Sequence, residues 1–193
     1  DSAIVNWDWF KRYTSIPADA KIIQSWDCAS KDTEFSDYNV CTTWAVNGSD
    51  AYLIDLFRKK LDFPSLVVQA AQLADRFRPS EVLIEDTSAG TGLIQSLRFH
   101  GPARMPCPKA IRPKGDKVTR LHVVSAMVER GQVHLPDQAA WLPALKDELV
   151  QFPFGKYDDQ VDSISQFLAW FEKATTQKCR AESVPMFFKD NYP

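Results

Sequence analysis

Carboxylates recur where an apolar stretch gives way to a polar one. Asp27 closes Lys21 to Asp27 (KIIQSWD), Glu85 and Asp86 close Val82 to Asp86 (VLIED), and Asp158, Asp159 and Asp162 crowd into Lys156 to Asp162 (KYDDQVD). An acid at the end of a buried strand is held rigidly, and desolvating its charge is costly unless a cation or hydrogen bonds compensate it. If the three stretches converge, their combined charge attracts a divalent metal rather than the ammonium of a lysine.

A set of strands and helices must position these acids. Lys21 to Asp27 reads as the first strand of a central sheet, followed by a polar loop from Ser30 to Asp37 and two strand-like runs, Tyr38 to Val46 and Ala51 to Lys59. Asn47-Gly48 between them is a hairpin signal, so three antiparallel strands are expected. Pro64 to Phe77 has helical apolar spacing, with proline near the start where a missing N–H costs least. The run Glu81 to Glu85 after it then lies parallel to the first strand through a crossover. Asp86, Thr87 or Ser88 can cap a helix from about Ala89 to Phe99. Residues 101–115 hold four prolines and support only a short edge strand or extended loop. Helices are expected over Asp116 to Arg130, Gln138 to Phe152 and Asp159 to Lys173, with a short strand at Gln132 to Leu135.

At 193 residues and 45% hydrophobic the chain can bury one substantial core, so one domain is expected. We expect residues 20–173 to form it, with 1–19 a linker or edge segment and 174–193 a tail. A chain opening on Asp1 reads as a fragment of something longer. The net charge of -2 neither requires nor excludes nucleic acid, because a basic patch can coexist with an acidic pocket. Cys28, Cys41, Cys107 and Cys179 are scattered with no CxxC pair, which argues against zinc and for free thiols in a reducing compartment. No signal peptide and no run near the roughly 20 apolar residues of a membrane span is present.

The ordered set QSWDCA (Gln24 to Ala29), SDYNV (Ser36 to Val40), VLIEDTSAGTGLIQSLR (Val82 to Arg98), KGDKVTR (Lys114 to Arg120), GQVHLP (Gly131 to Pro136) and YDDQVDSISQFL (Tyr157 to Leu168) resembles the C-terminal nuclease domain of phage terminase large subunits. The resemblance covers roughly residues 1–172. It implies a ribonuclease H-like α/β fold: a central mixed β-sheet, three antiparallel strands plus parallel strands, flanked by helices. It also implies an endonuclease that cuts concatemeric viral DNA during packaging in the host cytoplasm. Double-stranded DNA, an upstream ATPase domain, the small terminase subunit and the portal would be its partners. The chain has no GxxxxGK[ST] phosphate loop, so the motor half is expected to be absent.

Carried over residue by residue, the resemblance makes Asp27 the first-strand acid that bridges two metals. Strand alternation lets only one of Glu85 and Asp86 face the site; the resemblance selects Glu85 and leaves Asp86 as a helix cap. Asp158 and Asp162 are neighbours on an ideal helix, a DxxD spacing favours Asp159 with Asp162, and a doubled acid favours Asp158 with Asp159. At least two of the three are expected to touch metal, Asp159 ahead of the others. Phosphodiester hydrolysis needs an activated water, a stabilised pentacovalent phosphate and a stabilised leaving 3′ oxygen. Two Mg²⁺ or Mn²⁺ ions about 3.5–4 Å apart, held by carboxylates, serve all three. No Ser or Cys nucleophile is required.

Lys109, Arg112, Lys114, Lys117 and Arg120 form a basic stretch suited to phosphate contact, with Arg98, His100 and Arg104 weaker candidates. His122 and His134 read as structural or surface residues, and the tryptophans as packing rather than base-stacking platforms. Two rivals stand beside the terminase reading. Another ribonuclease H-like nuclease, of resolvase or transposase type, would prefer branched or end-specific DNA. A non-catalytic domain docking on portal or motor would have no need of acids at all three motif positions.

Overall fold

The computed structural model describes residues 3–29 and 38–182; the loop expected from Ser30 to Asp37 lies outside the described residues. One mixed sheet of seven strands runs in the order β1 (Lys11–Tyr13), β7 (Val133–Pro136), β4 (Asp50–Lys59), β3 (Asn39–Asn47), β2 (Lys21–Asp27), β5 (Glu81–Glu85) and β6 (Lys109–Ile111). β2, β3 and β4 form the expected antiparallel centre, and β5 lies parallel to β2. β6 runs parallel to β5, and β7 parallel to both β4 and β1. Five helices cover this sheet: α1 (Phe63–Phe77), α2 (Ser88–His100), α3 (Lys117–Glu129), α4 (Leu142–Gln151) and α5 (Asp159–Glu182). The arrangement is the ribonuclease H-like α/β fold.

Strand alternation decides what each face carries. Trp26, Cys41, Val82 and Ile84 pack with Leu66 and Leu73 of α1 and Leu93 and Leu97 of α2. Ile23, Trp44 and Leu83 point the other way, into a core closed by α3, α4 and α5. Trp44 stacks on Phe167 of α5 with centroids 4.3 Å apart and planes 10° apart. Burying a side chain of that size contributes about 2–3 kcal/mol, and the stacking about 1 kcal/mol more.

The same face holds a buried polar seam. Ser25 Oγ donates to the Ser163 carbonyl and Ser163 Oγ to the Ser25 carbonyl, each at 2.9 Å. Thr42 Oγ1 meets Ser163 Oγ at 2.8 Å, and Gln166 Nε2 donates to Ser25 Oγ at 2.9 Å and the Trp26 carbonyl at 3.2 Å. Slipping α5 by one residue would strand these groups unpaired at about 1–3 kcal/mol each. The seam therefore fixes the register of α5 on β2, next to Asp27.

Four expectations are corrected. The hairpin loop is Gly48-Ser49, since Asn47 still pairs with Asp50; Gly48 takes φ 58°, which glycine adopts without a Cβ penalty. Within the segment 1–19, where no secondary-structure element is expected, residues 3–19 contain a 3-10 turn at Trp7–Trp9 and strand β1. Three residues are too few to show a period, and the pairing partner β7 lies far along the chain. α4 starts at Leu142 rather than Gln138 because Pro143, which cannot supply an interior N–H, sits in its first turn. α5 continues to Glu182, past Ala174 where its apolar period fades, through residues of good helix propensity such as Gln177. Among the described residues no helix is long and apolar enough to cross a membrane.

Candidate active site

β2 and β5 bring two acids side by side. Their last registered pair is Trp26 with Ile84, and one step further stand Asp27 and Glu85. Alternation from Ser25 and Leu83 turns both carboxylates toward α5, on strands about 4.8 Å apart. Asp86 is thereby turned away. It accepts hydrogen bonds from Thr91 Oγ1 and Arg112 Nε, each at 3.1 Å, and these hold its carboxyl below the usual range, Arg112 contributing most. The expected capping role of Asp86 falls instead to Thr87, whose side chain accepts from Gly90 N at 3.2 Å.

Gly90 sets how closely α2 approaches the end of β5. A Cβ there would run into the Glu85 carbonyl oxygen and crowd Ile84. Gly90→Ala is expected to lower stability by about 3 kcal/mol, a fall in Tm of roughly 6–12 °C for a domain this size. Thermal melting checks this; an unchanged Tm would show that the β5–α2 junction gives way easily.

α5 adds the remaining acids. Burial, then the charges of Glu85, Asp162 and Asp159, push the Asp27 carboxyl well above its ordinary range, with Lys117 offsetting them in part. Glu85 is raised by burial and by Asp162, against the lowering effect of Arg120 and Lys117. Asp159 is pushed up to about 6, by burial first and the neighbouring Glu148 second, with Arg58 opposing. Asp27 thus lies in the field of the other three acids.

The expectation that such a pocket excludes a lysine is overturned. Lys117 Nζ lies 2.7 Å from Asp158 Oδ2 and 2.7 Å from Asp162 Oδ2, and Arg120 Nη2 lies 2.6 Å from Asp162 Oδ1. Burial alone would lower the Lys117 pKa, but its bonds to Asp158 and Asp162 outweigh that and hold it above its ordinary value. The packing of α3 on α5, which a linear pattern does not reveal, delivers both cations to the acids.

Both oxygens of Asp162 are therefore engaged, and one of Asp158. Asp159 Oδ2, by contrast, is shielded from solvent and has no hydrogen-bond partner. Among the described residues no three His, Cys, Asp or Glu groups stand close enough together to hold one ion. The donors nonetheless suit Mg²⁺ or Mn²⁺ chemically: they are hard carboxylate oxygens, incompletely neutralised, and one is an orphan.

Of the five cations read as DNA contacts, Lys117 and Arg120 turn to the acids as described, Lys117 remaining half exposed. Lys109 pairs with Glu81 at 2.7 Å, and Arg112 stays exposed beside Asp86. Lys114 is also exposed, and with Arg112 and Lys173 it edges a groove of about 310 Å³ that opens beside Glu85 over Val123 and Trp170. His134 pairs with Asp50 at 2.8 Å and stacks on Tyr52, and His122 is exposed. Cys28 and Cys41 are buried free thiols, each pushed up by burial, which leaves them poor nucleophiles.

Two residues beside the acids escaped sequence reasoning. Arg58 of β4 reaches Glu148 Oε2 and Asp159 Oδ2, at 3.8 Å each. Glu148 of α4 accepts from the backbone N–H groups of Gln160 and Val161 at 2.7 and 3.1 Å. Glu148 sits on the buried stripe of α4, and an acid at a core position is the one signal that could have drawn attention to it.

A family model described as the terminase RNaseH-like domain matches residues 24–170. No curated protein matches the chain. Among solved structures, the large terminase of a thermophilic bacteriophage aligns with TM-score 0.65 and 13% identity over 86% of this chain. The match spans 44% of that terminase, so this chain corresponds to less than half of it. The large terminase nuclease of thermophilic phage G20c aligns with TM-score 0.64 and 16% identity, over 86% of this chain and 97% of that one. The g2p nuclease domain of bacteriophage SPP1, solved with bound Mn, aligns with TM-score 0.59 and 11% identity, over 88% and 99%.

Proposed function

Because the chain belongs to the terminase RNaseH-like domain family, we propose that it is a metal-dependent endodeoxyribonuclease that cuts concatemeric viral DNA during genome packaging. The observation that carries this reading is the pairing of Asp27 with Glu85 on one face of β2 and β5, opposite an Asp159 whose Oδ2 has no hydrogen-bond partner. Asp27, Glu85 and Asp159 would share the two metals between them, with Asp158 and Asp162 available once Lys117 and Arg120 release them. Two Mg²⁺ or Mn²⁺ ions, when bound, supply Lewis-acid charge and a water of lowered pKa. The Mn seen with the SPP1 domain supports a divalent ion here.

The chain's own groups do the rest. Asp27 and Glu85 stand side by side and are offset only in part by Lys117 and Arg120, so the site gains by admitting positive charge. Lys117 and Arg120, freed from Asp162, can turn to the non-bridging oxygens of a phosphate, where a fixed cation stabilises developing charge. Lys114, Arg112 and Lys173 along the groove would hold the flanking backbone, a sequence-independent contact. Double-stranded DNA is the substrate in this reading. An ATPase domain, a small terminase subunit and the portal are its partners, and the host cytoplasm its setting.

The test is cleavage of a labelled linear duplex and of a four-way junction with Mg²⁺, Mn²⁺, Ca²⁺ or EDTA. Cleavage of the linear duplex in Mg²⁺ or Mn²⁺ alone, leaving 3′-hydroxyl ends, is expected. Cutting confined to the junction would favour the resolvase-type reading, and folded, DNA-bound protein that never cuts would favour a docking domain.

A further inference from the structure

We propose that Glu148 and Arg58 are positioning residues: Glu148 caps α5 from the neighbouring helix, and with Arg58 this leaves the Asp159 carboxylate free and aimed for metal. The inference rests on the metal-dependent reading above.

A helix exposes the unpaired N–H groups of its first turn, and a side chain just before it normally accepts from them. Among the described α-helices, α1, α2 and α3 follow that habit, and α4 has no side-chain cap. Asp62 accepts from Ser65 N at 2.9 Å, Thr87 from Gly90 N at 3.2 Å and Asp116 from Thr119 N at 2.8 Å. α5 departs from it. Two N–H groups of its first turn, those of Gln160 and Val161, go to Glu148 Oε1, while Glu148 Oε2 accepts from Gln160 Nε2 at 2.5 Å.

The acids that could have capped α5 are spared. Asp158 instead takes Lys117, and Asp159 Oδ2 is left without a hydrogen bond. A negatively charged first turn usually serves the helix dipole; here a buried carboxylate from α4 already serves it.

Arg58 completes the device. Its guanidinium lies 3.7 Å from the centroid of Tyr38 and 4.9 Å from that of Tyr157, which fixes the plane of a side chain otherwise free to swing. From there Nη2 stands 3.8 Å from both Glu148 and Asp159. That is too long for a hydrogen bond but close enough to balance two buried charges. Asp159 is thus held in place electrostatically while its buried Oδ2 keeps no hydrogen bond that a stronger cation would have to displace.

The test is Mn²⁺ titration of the protein, followed by electron paramagnetic resonance of unbound Mn²⁺, in wild type, Glu148→Gln, Asp159→Asn and the double variant. Glu148→Gln keeps one carbonyl acceptor for the helix but loses the charge facing Arg58. It is expected to weaken Mn²⁺ binding by about 10-fold, and to change it less than about 2-fold once Asp159 is already Asn. Equal weakening in both backgrounds, or wild-type Mn²⁺ affinity in Glu148→Gln, would overturn the proposal. If Glu148→Gln does not fold, Arg58→Gln leaves the Glu148 hydrogen bonds in place and should show the same dependence on Asp159. A wild type that takes up no Mn²⁺ at all sinks the metal-dependent reading itself, a different result from a variant that binds as well as wild type.

Discussion

Asp27→Asn is expected to lower the DNA cleavage rate at least about 1,000-fold, some 4 kcal/mol of barrier, while the protein stays folded and binds DNA. The size of the effect follows from position. Asp27 sits at the end of a central strand, with Glu85 beside it on β5 and α5 opposite, and it lies in the field of Glu85, Asp162 and Asp159 together. Asparagine fills the same space and keeps one carbonyl oxygen, but removes the charge that would draw a divalent ion between the strands and the helix. The residues that hold DNA in this reading, Lys114, Arg112 and Lys173, lie along the groove and are untouched. Single-turnover cleavage set against filter binding on the same duplex separates the two quantities. Parallel losses of binding and cleavage would place Asp27 in the scaffold rather than in the chemistry.

The second large effect appears without metal. Burial, with Glu148 beside it, pushes the Asp159 carboxyl up to about 6 from an ordinary value of 3.8, so the folded state binds the proton more tightly than the unfolded one. A group raised in this way favours the fold fully below its unfolded pKa, and that contribution is lost as pH rises through its folded pKa. In EDTA, Asp159→Asn should therefore be more stable than wild type by about 1–3 kcal/mol at pH 8. That is a Tm roughly 2–12 °C higher, and the difference should vanish as pH falls below about 4. Asp27 and Glu85 are raised for the same main reason, burial, and add to the trend. Mn²⁺ should reverse the order at pH 8, since a ligand that binds only the folded wild type stabilises it by mass action. A metal-free variant no more stable than wild type at pH 8 would mean that Arg58 neutralises Asp159 fully.

What was legible in the sequence was what alternation and helical period encode. KIIQSWD and VLIED each end on an acid, and alternation allowed only one of Glu85 and Asp86 to join Asp27; the resemblance selected Glu85, the one in phase with the residues that face α5. The buried stripe of α5 was equally plain. Less was legible where a structure depends on which elements touch. Lys117 and Arg120 lie in a run that reads as solvent-facing phosphate contacts, and only the packing of α3 against α5 turns them onto Asp158 and Asp162. Arg58 and Glu148 belong to β4 and α4, far apart in sequence, and meet Asp159 only through the tertiary fold. The choice of Thr87 over Asp86 as the cap of α2 turned on a one-residue phase that composition cannot resolve.

The central claim is that the acids of β2, β5 and α5 use a divalent metal to cut DNA. Its most direct test is the conversion of supercoiled plasmid to nicked and linear forms in Mn²⁺, by wild type and by Asp27→Asn, with EDTA as the control. The account predicts cleavage by wild type that stops in EDTA and is absent from Asp27→Asn. Cleavage that survives in EDTA, or that Asp27→Asn performs at the wild-type rate, would contradict it.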